Sequence, residues 1–230
     1  QVHLYELETH DGAMVVEDSL VTSGTGWNVA PRIGPRGRRL AFLAMTMNSA
    51  DLFVSDSATD GLRRVHVPNG WTTAWALEWA PDGHRVAMSV GTLDGPKIVV
   101  VDVDSGRLEE IQGATTGPPT RLLWTPDGRS ILVPSSDAGY WVLHDLDTGE
   151  ARRLFESVGG EFVFVVLSQD GRSILGSDIT DGSLWVASLD SGELTRGTAL
   201  GGGIARQPLW WGPQGKLVVH DVFSGALWRM

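Results

Sequence analysis

The sequence predicts an all-β fold, a β-propeller of four-stranded antiparallel blades, and three observations point to it. A tight turn recurs five times, at Pro35-Arg36-Gly37, Pro81-Asp82-Gly83, Pro126-Asp127-Gly128, Gln169-Asp170-Gly171 and Pro213-Gln214-Gly215, with glycines 46, 45, 43 and 44 residues apart. A second turn runs in phase with it, at His10-Asp11-Gly12, Thr59-Asp60-Gly61, Asp104-Ser105-Gly106, Asp147-Thr148-Gly149 and Asp190-Ser191-Gly192. Its glycines precede the next glycine of the first series by 25, 22, 22, 22 and 23 residues. Apolar residues then fall at fixed offsets from both turns. Five visible repeats of about 44 residues, read as short strands between polar turns, have the period of blades set radially around a channel.

Strands are named A to D from the channel outward. Residues 2 to 17 read as a C and a D strand joined by the His10 turn. Each later repeat opens with an A strand and the Pro-Asp-Gly turn into B. Proline presets φ there, aspartate bonds forward to its own backbone, and glycine takes the positive φ that closes the hairpin. Ile33, Trp79, Trp124, Leu167 and Trp211 stand four residues before the turn glycine, and Leu40, Val86, Ile131, Ile174 and Val218 three after it, as facing members of the A–B hairpin. Phe53, Ile98, Trp141 and Leu184, in β-rich runs such as Lys97-Ile98-Val99-Val100-Val101, supply strand C. The second turn joins C to D.

The A and B strands are expected to be the most apolar, as in Leu122-Leu123-Trp124 and Phe162 to Leu167. Pro208 to Trp228 read as A, B and C. No stretch holds a 3.6-residue period over three turns, so helices of any length are not expected. The count is two, sixteen and three strands, or twenty-one, against twenty for a closed ring of five blades. Closure by pairing of the N- and C-terminal strands, with one strand redundant, would remove sheet edges. The rival is a segment of a six- or seven-bladed ring. A length of 230 residues is close to five periods, which favours closure of residues 1–230 as a single domain.

At 42% hydrophobic and 20% charged the chain holds enough apolar material for a core. No apolar run, Phe162 to Leu167 included, approaches the roughly 18 residues that a spanning helix needs, so no membrane span is expected. The sequence begins at Gln1, which carries no information on targeting. With no cysteine, disulfides, thiolate catalysis and cysteine-ligated metals are excluded. A net charge of −10 argues against nucleic-acid binding, which needs a positive surface.

Because the hairpins alternate direction, both turn families lie on one face, here the hairpin face. The B-to-C and D-to-A connections lie on the other, the crossing face. Twelve of the eighteen basic residues map to or beside the turns. The crossing loops keep Asp51, Asp94, Asp137, Asp178, Asp181 and Asp221, and an acidic crossing face is expected. It would steer a cationic protein or peptide or supply oxygen ligands to calcium. No loop has the DxDxDG spacing of a self-contained calcium site, and aspartates that merely start solvated loops are the competing reading.

Trp79, Trp124, Trp211, Trp141, Trp185 and Trp228 are assigned to packing between blades. Trp27, Trp71 and Trp75 fall at D-to-A crossings, with Phe162 and Tyr140 on the same side. Together with Arg121 and Arg206 they form the candidate partner-binding set, against a core-filling role for the aromatics. Catalytic constellations are scarce: there is no G-x-S-x-G elbow, no H-E-x-x-H and no P-loop. His220 with Asp221 is the candidate acid, base or metal ligand, against a structural histidine. No cofactor is expected.

The pattern Trp-x-Pro-Asp-Gly-x-x-[apolar], followed by an apolar strand and Asp-x-x-[Ser/Thr]-Gly, resembles the Pro-Asp-Gly, WD-like propeller repeats of TolB. It is also similar to the amino-terminal propellers of prolyl-oligopeptidase-type peptidases. Repeats one, four and five depart from it at Arg36, Gln169 and Gln214 but keep the glycine. The resemblance spans nearly the whole chain and implies a periplasmic or extracellular location. It leaves function open, because such repeats underlie many activities. A noncatalytic scaffold that binds a protein or peptide on its crossing face and channel mouth is the expectation. The alternatives are the gating propeller of a serine peptidase whose catalytic domain lies outside this chain, and a metal-dependent propeller lyase or lactonase.

Overall fold

The computed structural model describes residues 3–10, 13–20, 27–37, 39–47, 49–56, 61–65, 70–113, 121–135, 140–156, 164–177, 183–199, 206–211, 216–221 and 227–229. Its strands pair in sequence order, each with the next, as antiparallel sheets. The first sheet is the hairpin β1 (His3–His10) and β2 (Ala13–Leu20). Four complete blades follow. Blade 1 is β3 (Trp27–Ile33), β4 (Leu40–Met45), β5 (Ala50–Ser55) and β6 (Arg63–Val65). Blade 2 is β7 (Thr73–Trp79), β8 (Arg85–Thr92), β9 (Gly95–Asp102) and β10 (Leu108–Ile111). Blade 3 is β11 (Leu123–Trp124), β12 (Ser130–Pro134), β13 (Tyr140–Asp145) and β14 (Ala151–Glu156). Blade 4 is β15 (Phe164–Leu167), β16 (Ser173–Ser177), β17 (Ser183–Ser188) and β18 (Leu194–Ala199). The last sheet has three strands, β19 (Arg206–Trp211), β20 (Leu217–Asp221) and β21 (Leu227–Arg229).

This is the expected architecture, with one correction. The terminal strands do not close the ring: among the described residues β1 pairs with β2 alone and β21 with β20 alone. The physical reason lies in the strand count. β21 sits on β20 as the third strand of the last sheet, the slot that the sequence reading assigns to β1. Ile33 shows the consequence. It is 58% exposed, whereas Trp79 and Trp124 at the same repeat position are 6% exposed, each packed against the A strand of the blade before it.

The turns form as their residues dictate. Asp82 Oδ1 accepts the backbone N–H of His84 (2.7 Å) and of Arg85 (3.1 Å). Asp127 and Asp170 accept those of Arg129 and Arg172, both at 3.0 Å. Gly83, Gly128 and Gly171 take φ of 73°, 68° and 69°, which only glycine adopts without strain.

Successive blades meet through repeated contacts. The A strands pack on one another, β3 on β7, β7 on β11 and β15 on β19, so they form the inner layer. Trp79 Nε1 donates to the Arg32 carbonyl (3.0 Å) and Trp124 Nε1 to the Glu78 carbonyl (3.2 Å), one blade back in each case. Arg39 and Arg85 reach forward to the next turn, donating to the carbonyls of Gly83 (2.9 Å) and Gly128 (2.8 Å). The turns themselves nest. A Cβ on Gly83 would lie 3.9 Å from Pro35 Cδ, one on Gly128 3.7 Å from Pro81 Cδ, and one on Gly171 would overlap Pro126 Cδ.

The core between blades 1 and 2 joins Leu43, Leu52 and Val54 to Leu77, Met88 and Val101. Blade 4 centres on Trp185, which lies across Gly176 of the neighbouring strand. A Cβ there would overlap the fully buried indole. Gly176→Ala is therefore expected to cost about 1–3 kcal/mol, read by urea unfolding.

His144 in β13 is buried without a hydrogen-bond partner for Nε2, and burial pushes its pKa below the ordinary 6.5. The unfolded chain then binds the proton more readily than the fold does. Stability is full above pH 6.5 and falls as pH drops below it. Urea midpoints are expected to decline between about pH 6.5 and 5, above the range where carboxylates titrate, and His144→Leu is expected to flatten that slope.

Candidate functional site

The hairpin face is stitched together by its own charges. The residue after the first-turn glycine pairs with the first aspartate of the second turn: His84 with Asp104 (2.6 Å), Arg129 with Asp147 (3.0 Å) and Arg172 with Asp190 (2.7 Å). Asp104 also takes Arg39 (2.8 Å) and Arg63 (3.4 Å) from the preceding blade. The Arg39 hydrogen bond, with help from His84, holds its carboxyl below the usual range. Arg63 donates to the Val103 carbonyl (2.7 Å), and Arg152 to the carbonyls of Leu189 and Asp190. Exposed pairs of this kind contribute little singly. Their effect is to occupy the donors and acceptors of this face.

The crossing face is different. The B–C turns of blades 1 and 2 carry Met47, 82% exposed, and Leu93, 91% exposed. Trp75 lies at the same end of β7, at a β-bulge: Ala74 pairs with Val90 and Ala76 with Ser89, which leaves Trp75 as the extra residue. The Ser89 hydroxyl accepts the freed Ala76 N–H (3.1 Å). A bulge re-aims its side chain, and Trp75 is 37% exposed. Its ring sits over Gly91, where a Cβ would stand 2.8 Å from Trp75 Cη2.

Behind it, Trp71 is buried and fixed. The Ala50 N–H donates to the Trp71 carbonyl (3.1 Å), and the Thr72 N–H to the Gly91 carbonyl (2.9 Å). A groove of about 340 Å³ opens beside it, lined by Gly70, Trp71, the Thr92-Leu93-Asp94 turn, Lys97, Val99, Leu108 and Glu110. Lys97 Nζ and Glu110 Oε2 pair at 3.0 Å across its wall.

Nearer the axis, Arg32 Nε donates to Glu78 Oε2 (3.2 Å). Burial pushes the Glu78 carboxyl up, against the pull of Arg32 and Arg121. Burial, and then the charge of Arg32, lower the Arg121 guanidinium.

Of the residues singled out by sequence, Trp71 and Asp94 share the groove, and Trp75 lies at the same end of blade 2. Trp71 is a buried wall rather than an exposed contact. Arg121 belongs to the axial charge group. Tyr140 lies under the Arg153 guanidinium, 3.9 Å from the ring centroid. Asp51 is tied to Arg64 (2.6 Å), so it adds no net charge to the crossing face. Trp27 opens β3 and Arg206 opens β19, while His220 and Asp221 end β20. Phe162, Asp137, Asp178 and Asp181 lie outside the described residues. Among the described residues no three acidic, histidine or cysteine groups cluster as metal ligands, and no helix is long and apolar enough to cross a membrane. Sequence reasoning passed over Met47, Leu93, Arg32 and Glu78. An apolar residue at the tip of Thr92-Leu93-Asp94-Gly95 was the available signal for Leu93.

A family model for the TolB β-propeller domain matches residues 2–226. The chain belongs to the TolB β-propeller domain family. This TolB-type propeller is similar to the crystal structure of TolB from Acinetobacter baumannii, with 16% identity and a TM-score of 0.63 over 93% of this chain and 56% of that one. It is similar to the tricorn protease, with 18% identity and a TM-score of 0.62 over 89% of this chain and 21% of that one. A third likeness is to the β-propeller domain of Myceliophteria thermophila Cps50 (Swd1), with 15% identity and a TM-score of 0.62 over 83% and 66%. At these identities the likenesses establish the fold, and the chain spans about half the length of the TolB structure. No curated protein matches it in sequence. The TolB-type fold is compatible with a protein-binding scaffold and with the propeller of a peptidase.

Proposed function

We propose that this chain is a noncatalytic recognition scaffold that binds a protein or peptide through the crossing face, in a periplasmic or extracellular setting. The observation that carries this reading is the contrast between the faces. Among the described residues the hairpin face ties many of its charges into ion pairs and hydrogen bonds, whereas the crossing face holds Met47, Trp75 and Leu93 open to solvent on a rigid base. Apolar and aromatic groups fixed in advance bind with little ordering cost, and aromatics are favoured as interface anchors. The likeness to the tricorn protease favours a second reading, the gating propeller of a peptidase whose catalytic domain lies outside this chain. A hydrolase domain encoded beside it would support that.

The test places a photo-reactive amino acid at position 75 or 93, and at Thr148 on the hairpin face as control. The cross-linked partner is identified, purified and titrated. The Trp75→Ala, Leu93→Ser double variant is expected to bind it at least about tenfold more weakly, the loss of one modest hot spot. Equal cross-linking from Thr148, or unchanged affinity in the folded double variant, would reject the crossing face as the binding surface.

A further inference from the structure

We propose that the groove beside Trp71 receives a lysine or arginine side chain of a partner polypeptide, a proposal that rests on the crossing-face reading and gives the partner its chemistry. The groove has two characters. Its inner part is apolar, formed by Trp71, Val99 and Leu108, with Leu93 at the rim. Its charges do not cancel. Lys97 and Glu110 neutralise each other at 3.0 Å. Asp94, exposed in the B–C turn, makes no ion pair among the described residues and leaves one net negative charge at the mouth. The chain as a whole carries −10, so the long-range field adds to the local one.

A volume of about 340 Å³ lies at the small end for ligand pockets, which run to roughly 1,000 Å³. It suits one long side chain better than a folded surface. Lysine and arginine join an apolar stem to a cationic head, so the stem packs on Trp71, Val99 and Leu108 while the head meets Asp94. An acidic side chain would be repelled there, and a purely apolar one would leave the Asp94 charge unused. The wall is fixed before binding, because the Trp71 carbonyl and the Thr72 N–H are tied to Ala50 and Gly91.

The test titrates the intact ¹⁵N-labelled chain with acetyl-Ala-Lys-Ala-amide, acetyl-Ala-Arg-Ala-amide and the norleucine analogue, following the Trp71 indole and the Leu93 and Asp94 amides by NMR. The basic peptides are expected to give saturable shifts at these positions. Their affinity is expected to fall at least fivefold for norleucine, at least fivefold in Asp94→Asn, and with rising salt in the unaltered chain. Norleucine binding as well as lysine, affinity insensitive to both salt and Asp94→Asn, shifts mapping elsewhere, or no shifts would each overturn the proposal. A partner cross-linked at position 75 or 93 alongside such a result would reject the groove while leaving the crossing face as the binding surface.

Discussion

The structure depends on a contact between turns. In three described turns the proline rests against the turn glycine of the next blade, Pro35 beside Gly83, Pro81 beside Gly128 and Pro126 on Gly171. Glycine adopts the positive φ of the turn at all three positions, and at Gly171 it also leaves room for the preceding proline. The other links between blades follow from this nesting. It sets Trp79 and Trp124 within reach of the carbonyls one blade back, and Arg39 and Arg85 within reach of the next turn. Arg85 also lies 5.1 Å from the centroid of the Trp124 ring. A blade shifted along its strand would break all of these at once, which accounts for the narrow spread of the repeat length.

The same stacking separates the two faces by chemistry. On the hairpin face the turns meet, so their charged residues find partners within and between blades. On the crossing face the chain must leave one D strand and enter the next A strand. There the A strands bulge: β3 between Val29 and Arg32, with Ala30 at φ 51°, β7 at Trp75, and β19 between Pro208 and Trp210. Bulges break strict alternation and turn a side chain away from the core. The proposed recognition draws on this face because Met47, Trp75 and Leu93 remain open to solvent there, on loops held at both ends by strands.

The architecture was legible because its determinants are local. Turn residues, their period and the apolar positions beside them prescribed the strand count and the direction of every hairpin. Closure was not legible, since it depends on which strand pairs beside β20, and that place is taken by β21. The site was partly legible. Trp71, Trp75 and Asp94 were singled out by their place between strands, but the sequence did not show that Trp71 is buried, and the exposure of Trp75 goes with the bulge at its own position, which no period announces. Asp51 read as free acid because its partner Arg64 lies on another strand. Ile33 read as the repeat equivalent of Trp79 and Trp124, but it is exposed, with no A strand packed before it among the described residues.

Turn nesting, which holds the blades together, can be separated from the backbone requirement for glycine at two positions. Gly171 and Gly149 have nearly the same φ, 69° and 73°, but a Cβ on Gly171 would overlap Pro126, whereas one on Gly149 would meet nothing within 4 Å. Alanine at either position incurs the same left-handed strain, about 1–2 kcal/mol, and alanine at Gly171 must also part blades 3 and 4. Unfolding free energies of the two single variants decide the matter: a loss at Gly171→Ala greater by at least about 1 kcal/mol, the usual scale of overpacking, is predicted, and equal losses would contradict the account.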